Sequence, residues 1–379
     1  MESIYLDHAA TTPLDKAVFD KMAPYYMQTF GNADSPHAFG RKAMGAVDFA
    51  RDTVAECINA QSSEVYFTSG GTEADNWAVL GAARARKAEG KTHIIVSAIE
   101  HHAVLYAAKT LQDEGFKVSY LPVNAGGRVE MNALKALITA DTALVAIMAA
   151  NNETGVLQPV QEAAKLAHEY GALFFTDAVQ AAPYMPIDVK EWGVDLLSFS
   201  SHKFYGPKGC GVLYIKNGVK INRHVGGGEQ ERGLRGGTLN VPAIVGLAEA
   251  YKRAVEHMQE NNARLTALSK LMESRLQTIG GITRNGDKQN ALPAVWNVRI
   301  DSVENASLLF NMDLQGVCMA AGSACASASI KPSHVLTAMG LSEQQAKQSV
   351  RISLGKNNTE EEIVRAMEIL QNCITRLRG

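Results

Sequence analysis

Short apolar runs alternate with amphipathic stretches over the first two-thirds of the chain. Six runs have the length of buried strands, and they lie at residues 65–68, 94–97, 118–121, 144–147, 173–176 and 196–199. Helical patterns separate several of them, for example at 73–87 and 160–170. This alternation predicts a mainly parallel sheet with helices on both faces. A seventh run at 212–215 follows the sixth with no room for a helix, so we expect one antiparallel pair.

The pattern changes after Pro242. Helix-forming residues continue from 243 to about 279, broken only by Gly246, and they predict one long connecting helix. A second set of elements follows, with strands predicted at 295–300 and 350–354 and a helix at 305–314.

Two domains account for these two patterns. We predict an α/β protein whose seven-stranded, mainly parallel sheet forms a large domain at 13–256, with a smaller α+β domain at 1–12 and 257–379. A length of 379 residues agrees with two or three domains of ordinary size. Thr359 and Glu362 are spaced as a capping box, which predicts the start of a final helix.

The composition narrows the possible functions. The chain has 37 Lys and Arg residues against 39 Asp and Glu, a formal charge of −2, so nothing in the charge favours nucleic acid or an anionic membrane as a partner. The longest fully apolar stretch, 143–150, is far too short for a membrane span. The N-terminus lacks the features of a signal peptide, and the five cysteines include no C-x-x-C pair. We expect a cytoplasmic enzyme.

A glycine-rich turn follows the first predicted strand. The segment from Thr68 to Asp75 contains Gly70, Gly71 and Thr72 where a strand ends and a helix begins. The first N–H groups of that helix and the Thr72 hydroxyl are suited to hold a phosphate. A plain strand-to-helix turn that needs glycine is the alternative.

Asp177 and Lys203 come at the ends of two other apolar runs. Ligands bind at the carboxyl ends of strands in an open α/β sheet, and an Asp buried there needs a cation or hydrogen-bond donors. A helix N-cap is the alternative role for Asp177. Lys203 follows Ser200 and His202, and apolar surroundings disfavour an ammonium group, as Schiff-base chemistry requires. A solvated loop lysine is the alternative there.

Three further positions carry possible chemistry. Cys325 lies among small polar residues rather than large apolar ones, which indicates a reactive thiol; a surface cysteine without a role is the alternative. Arg351 lies within a predicted strand, where an anionic ligand or a carboxylate would explain it, and a surface ion pair is the alternative. His101 and His102 are adjacent, so their side chains diverge, and we predict no metal site.

The order of these motifs resembles that of the cysteine desulfurases. The sequence contains a Gly-Gly-Thr turn, a strand-end His, Asn-Asn-Glu at 151–153, Asp-x-x-Gln at 177–180, Ser-x-His-Lys at 200–203 and Gly-Ser-Ala-Cys at 322–325. The resemblance runs over essentially the whole chain from Tyr5, and it is to the NifS/IscS-like branch of the class V aminotransferase superfamily. It implies pyridoxal 5'-phosphate as the cofactor and the fold called type I among enzymes that use it.

The resemblance also implies a role for each matching residue. Lys203 would hold the cofactor as a Schiff base, Cys325 would accept sulfur as a thiolate, and His101 would stack on the cofactor ring and move protons. The other cofactor-binding residues would be Gly71, Thr72, Ser200 and His202 at the phosphate, Asp177 at the pyridine nitrogen, Gln180 at the ring hydroxyl, and Asn152. Asn152 and Arg351 would also bind the substrate carboxylate. Thr238 would reach the phosphate of a second subunit, which implies a homodimer.

The implied reaction removes sulfur from L-cysteine, releases L-alanine and leaves a persulfide on Cys325. An acceptor protein, either an iron–sulfur scaffold or a tRNA-thiolating enzyme, would then take the sulfur. Selenocysteine lyase and cysteine-sulfinate desulfinase are alternative activities, although neither needs a protein thiol to take up sulfur. A catalytically idle scaffold is a third possibility, and the intact Lys203, Asp177 and Cys325 count against it. The sequence departs from the family pattern at Ala33-Asp34 and at Ala320-Ala321.

Overall fold

The computed structural model describes residues 3–322 and 332–379. Within these ranges the strands are β1 (Ile4–Tyr5), β2 (Val65–Thr68), β3 (His93–Ser97), β4 (Lys117–Leu121), β5 (Thr142–Ala146), β6 (Leu173–Asp177), β7 (Leu196–Ser200), β8 (Gly211–Ile215), β9 (Ile282–Asn285), β10 (Val295–Ile300), β11 (Val317–Cys318) and β12 (Ser349–Ser353). The helices are α1 (Lys16–Met22), α2 (Pro24–Met27), α3 (Ala38–Cys57), α4 (Gly71–Asn76), α5 (Ala82–Lys87), α6 (His102–Asp113), α7 (Met131–Leu137), α8 (Val160–Glu169), α9 (Val189–Trp192), α10 (Val241–Glu256), α11 (Met258–Gln277), α12 (Asn305–Leu314), α13 (His334–Ala338), α14 (Glu343–Lys347) and α15 (Glu360–Arg378). No helix among these is long and apolar enough to cross a membrane.

Seven strands form the large sheet in the order β2-β8-β7-β6-β5-β3-β4. The strands from β7 to β4 along this order are parallel, whereas β8 is antiparallel to both of its neighbours. Every residue of β3, β5 and β7 is buried, as expected for strands covered by helices on both faces. The prediction of a seven-stranded, mainly parallel sheet in an α/β protein is confirmed. The antiparallel β7–β8 pair was expected, and the second such pair, β2–β8, was not.

The last third of the chain forms a separate three-stranded antiparallel sheet, ordered β12-β10-β9. Its apolar core draws on residues 4–6 and on residues between 265 and 374. The capping box of α15 is confirmed, because the Thr359 side chain accepts from the N–H of Glu362 and the Glu362 carboxylate accepts from the N–H of Thr359. The division into domains at 256 and 257 stays a prediction.

The prediction of one helix from 243 to 279 is wrong, because α10 ends at Glu256 and α11 begins at Met258. His257 lies between them with φ −102° and ψ 10°, outside the helical range. Gly246 does not interrupt α10. A Cβ there would lie 2.5 Å from the Met22 sulfur, so this glycine permits α1 and α10 to pack closely.

Residues 4–12 connect the two sheets. Strand β1 pairs with β11 in parallel, and the backbone N–H of Ser353 in β12 donates to the carbonyl of Leu6 at 2.8 Å. Farther along, the N–H of Thr12 donates to the carbonyl of His202 at 2.9 Å, just beyond the end of β7. This segment therefore crosses the carboxyl edge of the large sheet, where the candidate side chains lie.

A buried ion pair fixes the loop that precedes α10 against the large sheet. Arg51 in α3 forms two hydrogen bonds to the Glu231 carboxylate, at 2.8 and 2.7 Å, and a third to the Val65 carbonyl at 2.6 Å. Glu231 also accepts from the backbone N–H of Phe67 at 2.9 Å. The Glu231 side chain is fully buried, so its charge depends on these donors for compensation.

We expect Arg51→Met to lower the free energy of unfolding by about 3–5 kcal/mol, because the Glu231 charge would stay buried without its cation. Lys16→Ala is the matched control, since it breaks an ion pair with Asp20 whose side chains are 84% and 56% exposed. That loss should stay below about 1 kcal/mol. Chemical denaturation followed by circular dichroism measures both variants, and equal losses would contradict the prediction.

Candidate active site

A cavity of about 210 Å³ opens at the carboxyl edge of the large sheet, next to β12 of the small one. The predicted site residues that line it are Gly71, Thr72, His101, Asn152, Asp177, Gln180, Ser200, His202, Lys203 and Arg351. Thr238 is exposed and does not line this cavity. Cys325 lies outside the described residues. The structure thus brings together ten predicted residues that span positions 71 to 351 of the chain.

One end of the cavity is built from the turn between β2 and α4. Gly70 has φ 150° and ψ −179°, a conformation that is essentially restricted to glycine. A Cβ on Gly71 would lie 2.9 Å from a Val179 methyl group and 3.6 Å from the Ser200 Cβ, so glycine permits this turn to pack closely against Val179 and Ser200. The helix starting at Gly71 continues through a π-helical turn to Lys87, and its first N–H groups have no carbonyl of their own helix to bond. Together with the Ser200 hydroxyl, this end of the cavity fits a phosphate group.

Asp177 ends β6 at the floor of the cavity and is 5% exposed. Its carboxylate accepts from the backbone N–H of Val179 at 2.8 Å. Burial raises its pKa to about 6, and the Val179 hydrogen bond and the positive charge of Lys203 limit the rise. The alternative role as a helix N-cap is wrong, because no helix begins before Val189 in this part of the chain.

Lys203 is half-buried in the cavity rather than solvated in a loop. Its Nζ donates to the carbonyl oxygens of Ala9 and Ala10 at 2.6 and 2.7 Å. The Gln180 side-chain amide donates to the same Ala9 carbonyl at 2.8 Å. The crossing segment therefore supplies two acceptors that hold the lysine amine inside the cavity. The sequence did not predict these acceptors, because every residue has a backbone carbonyl and a motif of residue types does not show which ones bind the lysine.

His101 and His202 both line the cavity with Lys203, and the pKa of each imidazole is lowered. Burial, and after it the charge of Lys203, lowers the pKa of each imidazole to about 4, so both are neutral at neutral pH. His101 caps α6, where its Nδ1 accepts from the N–H of Ala103 at 3.2 Å. The neutral ring therefore carries its hydrogen on Nε2. The Nδ1 of His202 lies 3.1 Å from the Thr11 hydroxyl.

Arg351 is 1% exposed, so the alternative of a surface ion pair is wrong. One guanidinium nitrogen bonds Asp7 at 2.7 Å and another bonds the Asn152 carbonyl at 2.9 Å. Its Nε is buried with no hydrogen-bond partner among residues 3–322 and 332–379. The Arg351 backbone also pairs with Ala320 at 2.6 and 3.2 Å, so that departure from the family pattern keeps a structural contact through its main chain. This guanidinium fits the recognition of a small carboxylate.

Two buried carboxyl groups beneath the cavity were not predicted. Asp75 accepts from the Ser198 hydroxyl at 2.5 Å, and Glu100 accepts from the N–H of Met148 at 2.7 Å. Burial and the nearby charge of Asp177 raise the pKa of Asp75 well above its ordinary value, and burial raises the pKa of Glu100 to about 8. Glu100 therefore keeps its proton at neutral pH, whereas Asp177 is ionised. Asp75 falls four residues after Gly71, on the same helical face, and that spacing was the available signal.

The loop that carries Thr238 is tied to the turn at Gly71. Arg235 bonds both oxygens of Glu73, at 2.8 and 3.0 Å, and Glu73 accepts from the N–H of Ser69 at 2.7 Å. At the other departure from the family pattern, Asp34 accepts from Gln230 at 2.5 Å. Among residues 3–322 and 332–379, no three His, Cys, Asp or Glu side chains are grouped to hold a metal.

Comparison with known proteins agrees with this geometry. The family described as "Aminotransferase class-V" matches residues 4–365. "Cysteine desulfurase IscS" of Clostridium botulinum is 46% identical over all of this chain and 96% of its own length, and "Cysteine desulfurase IscS" of Methanosarcina thermophila is 45% identical over 100% and 93%. A solved "NIFS-LIKE PROTEIN" superposes with a TM-score of 0.93 at 37% identity, over 99% of this chain and 100% of its own. The chain belongs to the class V aminotransferase family, and within it to the cysteine desulfurases of the NifS/IscS type.

We expect Glu100→Gln to change how stability depends on pH. With its pKa raised to about 8, Glu100 keeps a proton in the folded protein that the unfolded chain has already released. Its contribution to stability is therefore complete at low pH and is lost as the pH rises, by up to about 1.4 kcal/mol per pH unit. The melting temperature of wild type minus that of Glu100→Gln should fall between about pH 5 and about pH 8. A difference that does not vary with pH would contradict a protonated Glu100.

Proposed function

We propose that this protein is a pyridoxal-phosphate-dependent cysteine desulfurase that converts L-cysteine to L-alanine and retains the sulfur as a persulfide on Cys325. The observation that carries this proposal is one cavity lined both by Lys203, Asp177 and the glycine turn and by the guanidinium of Arg351. A lysine amine, a buried carboxylate and a phosphate-shaped turn fit pyridoxal phosphate. A buried guanidinium fits the carboxylate of an amino acid substrate.

Each residue has a defined task in this proposal. The cofactor, when bound, supplies an electron sink that makes the proton on the substrate α-carbon acidic. Gly71, Thr72, Ser200 and His202 hold its phosphate, Gln180 its ring hydroxyl, and the Asp177 carboxylate its ring nitrogen. Lys203 would anchor the cofactor, and its Nζ would take the substrate α-proton as a general base. Arg351 and Asn152 orient the substrate carboxylate.

Sulfur transfer needs a nucleophile and a proton donor. The Cys325 thiolate attacks the substrate sulfur, the carbon–sulfur bond breaks, and its electron pair stays with the substrate carbon, which becomes the methyl group of alanine after protonation. His101 would stack on the ring face, where its neutral ring donates a hydrogen bond through Nε2–H, and the Lys203 ammonium formed when Nζ takes the α-proton would supply the proton. The persulfide sulfur then passes to an acceptor protein, with an iron–sulfur scaffold and a tRNA-thiolating enzyme as the two candidates, and we place the reaction in the cytoplasm.

Incubation with pyridoxal phosphate and L-cysteine tests the activity directly. Mass spectrometry should find alanine in the solution and one additional sulfur on Cys325. Borohydride reduction of the protein before substrate is added should leave a pyridoxyl group on Lys203. Absence of alanine from a protein that has taken up the cofactor would reject the proposal.

Cys325→Ser should keep the cofactor and still bind L-cysteine, but alanine formation should fall to below about one-thousandth of wild type, because a neutral hydroxyl is a poor acceptor of sulfur. Lys203→Ala should instead lose the pyridoxyl label. The other cysteines are the controls. Burial raises the pKa of the Cys57 and Cys210 thiols to about 11 and about 12, so neither is a thiolate at neutral pH. Full turnover by Cys325→Ser would show that another group accepts the sulfur.

We also propose a homodimer in which Thr238 of each subunit completes the phosphate site of the other. Two observations support this proposal. The Thr238 side chain is exposed, and the Arg235–Glu73 ion pair ties the Thr238 loop to the turn at Gly71. Large apolar side chains also lie exposed along the N-terminal helices, and they are Phe19, Tyr26, Met27, Phe30, Phe39 and Phe49. Exposed apolar side chains in such number favour burial against a second copy of the chain.

A mixing experiment tests the shared site. Thr238→Ala should weaken cofactor binding by about tenfold, the effect of losing one hydrogen bond to a charged group. Heterodimers of Thr238→Ala with Lys203→Ala chains should then contain one complete site, built from the intact Lys203 of one chain and the intact Thr238 of the other. That site should bind the cofactor with wild-type affinity. Sedimentation checks that dimers persist, and no recovery in the mixed dimers would contradict a shared site.

A further inference from the structure

Glu153 is a buried carboxyl group that the proposed reaction does not use. It follows Asn152 in the turn after β5 and is 1% exposed. Its Oε2 accepts a hydrogen bond from the Ser333 hydroxyl at 2.6 Å. Its carboxylate also lies against Gly322, where a Cβ would come within 2.7 Å of the same oxygen. One carboxylate therefore contacts the chain on both sides of residues 323–331.

The position of Glu153 is fixed by its own turn. The Asn151 side-chain oxygen accepts from the N–H groups of Glu153 and Thr154 at 2.9 and 3.0 Å, and from the Thr154 hydroxyl at 3.1 Å. The Asn151 amide in turn donates to the Ile99 carbonyl at 3.1 Å. The Asn297 amide reaches the Glu153 carbonyl at 3.3 Å. With both its backbone N–H and its carbonyl hydrogen-bonded, Glu153 is held in a fixed position.

The chain on either side of residues 323–331 also has contacts that lead to the cavity. Before the segment, Ala320 pairs with the backbone of Arg351. After it, the His334 Nε2 lies 2.9 Å from the Glu100 carbonyl, and its ring lies edge-on to His102, with centroids 4.7 Å apart. Gly322 directly precedes the segment, Ser333 follows it by two residues, and the Glu153 carboxylate contacts both.

We infer that Glu153 is a positioning residue that holds Gly322 and Ser333 together, and so sets where the segment with Cys325 leaves and rejoins the fold. This inference rests on the proposed function, in which the Cys325 thiolate must meet the substrate sulfur. Holding both ends of a short segment at one point raises the effective concentration of any group on it at a nearby site. Glu153 acts through Gly322 and Ser333, and touches neither cofactor nor substrate in this scheme.

The inference predicts a specific set of variants. Glu153→Ala should slow persulfide formation on Cys325 by about tenfold in a rapid-quench experiment, while the change in the visible spectrum on adding L-cysteine keeps its wild-type midpoint. Glu153→Gln should recover most of the rate, because its side-chain oxygen still accepts from Ser333. Thr337→Ala is the matched control, since it removes an exposed hydroxyl one helical turn after Ser333 and should leave the rate unchanged.

Double variants test whether the three residues act as one unit. Gly322→Ala places a methyl group against the Glu153 carboxylate, so it should slow the step in the wild-type background and add nothing in the Glu153→Ala background. Ser333→Ala should behave in the same way. Independent, additive effects would overturn the inference, and so would a rate unchanged by Glu153→Ala.

A second measurement keeps the inference separate from the proposed function. The same coupling should appear in melting temperatures of the single and double variants with cofactor bound, which require no turnover. If wild type makes no alanine but the melting temperatures are coupled, the proposed function fails and the contact stands. If alanine forms and neither coupling is found, the inference fails alone.

Discussion

The rest of the site depends on the hydrogen bonds that the Lys203 Nζ donates to two backbone carbonyls. Ala9 and Ala10 lie on the segment that joins the small sheet to the large one. The Lys203 amine is therefore held by residues that are not part of the strands of either sheet. The same segment supplies Asp7 to Arg351 and the Ala9 carbonyl to Gln180. One short stretch of chain, residues 7–10, therefore forms hydrogen bonds with Lys203, Gln180 and Arg351.

The large sheet was predictable because burial on both faces leaves continuous apolar runs, and β3, β5, β6 and β7 all follow that rule. The short pair β1–β11 was not, since two-residue strands carry no period. The break between α10 and α11 was missed for a different reason. His257 has an ordinary helix propensity, and neither Gly nor Pro marks the change in direction there.

Many side chains of the site followed from motif order, because they lie at or just beyond the carboxyl ends of strands in the large sheet, and such ends converge. Arg351 differs, since it lies within β12 of the small sheet. The raised pKa values of Asp75 and Glu100 did not follow, because they arise from burial near Asp177 and depend on contacts between distant parts of the chain. In the sequence, Glu153 was only part of the Asn-Asn-Glu motif. Its contacts with Gly322 and Ser333 join residues far apart in the chain, so only the structure shows them. The role of Cys325, outside the described residues, still rests on sequence.

The bond between Asp7 and Arg351 joins residues 344 positions apart. During synthesis, Asp7 leaves the ribosome long before Arg351 does. This part of the fold therefore forms only when the C-terminal region has been synthesised. Lys203 and its two carbonyl acceptors are made much earlier than the arginine that completes the other end of the cavity. A nascent chain that ends before residue 351 would contain Lys203 and its carbonyl acceptors but not the buried arginine, so the lining of the cavity is complete only when about the last thirty residues are translated.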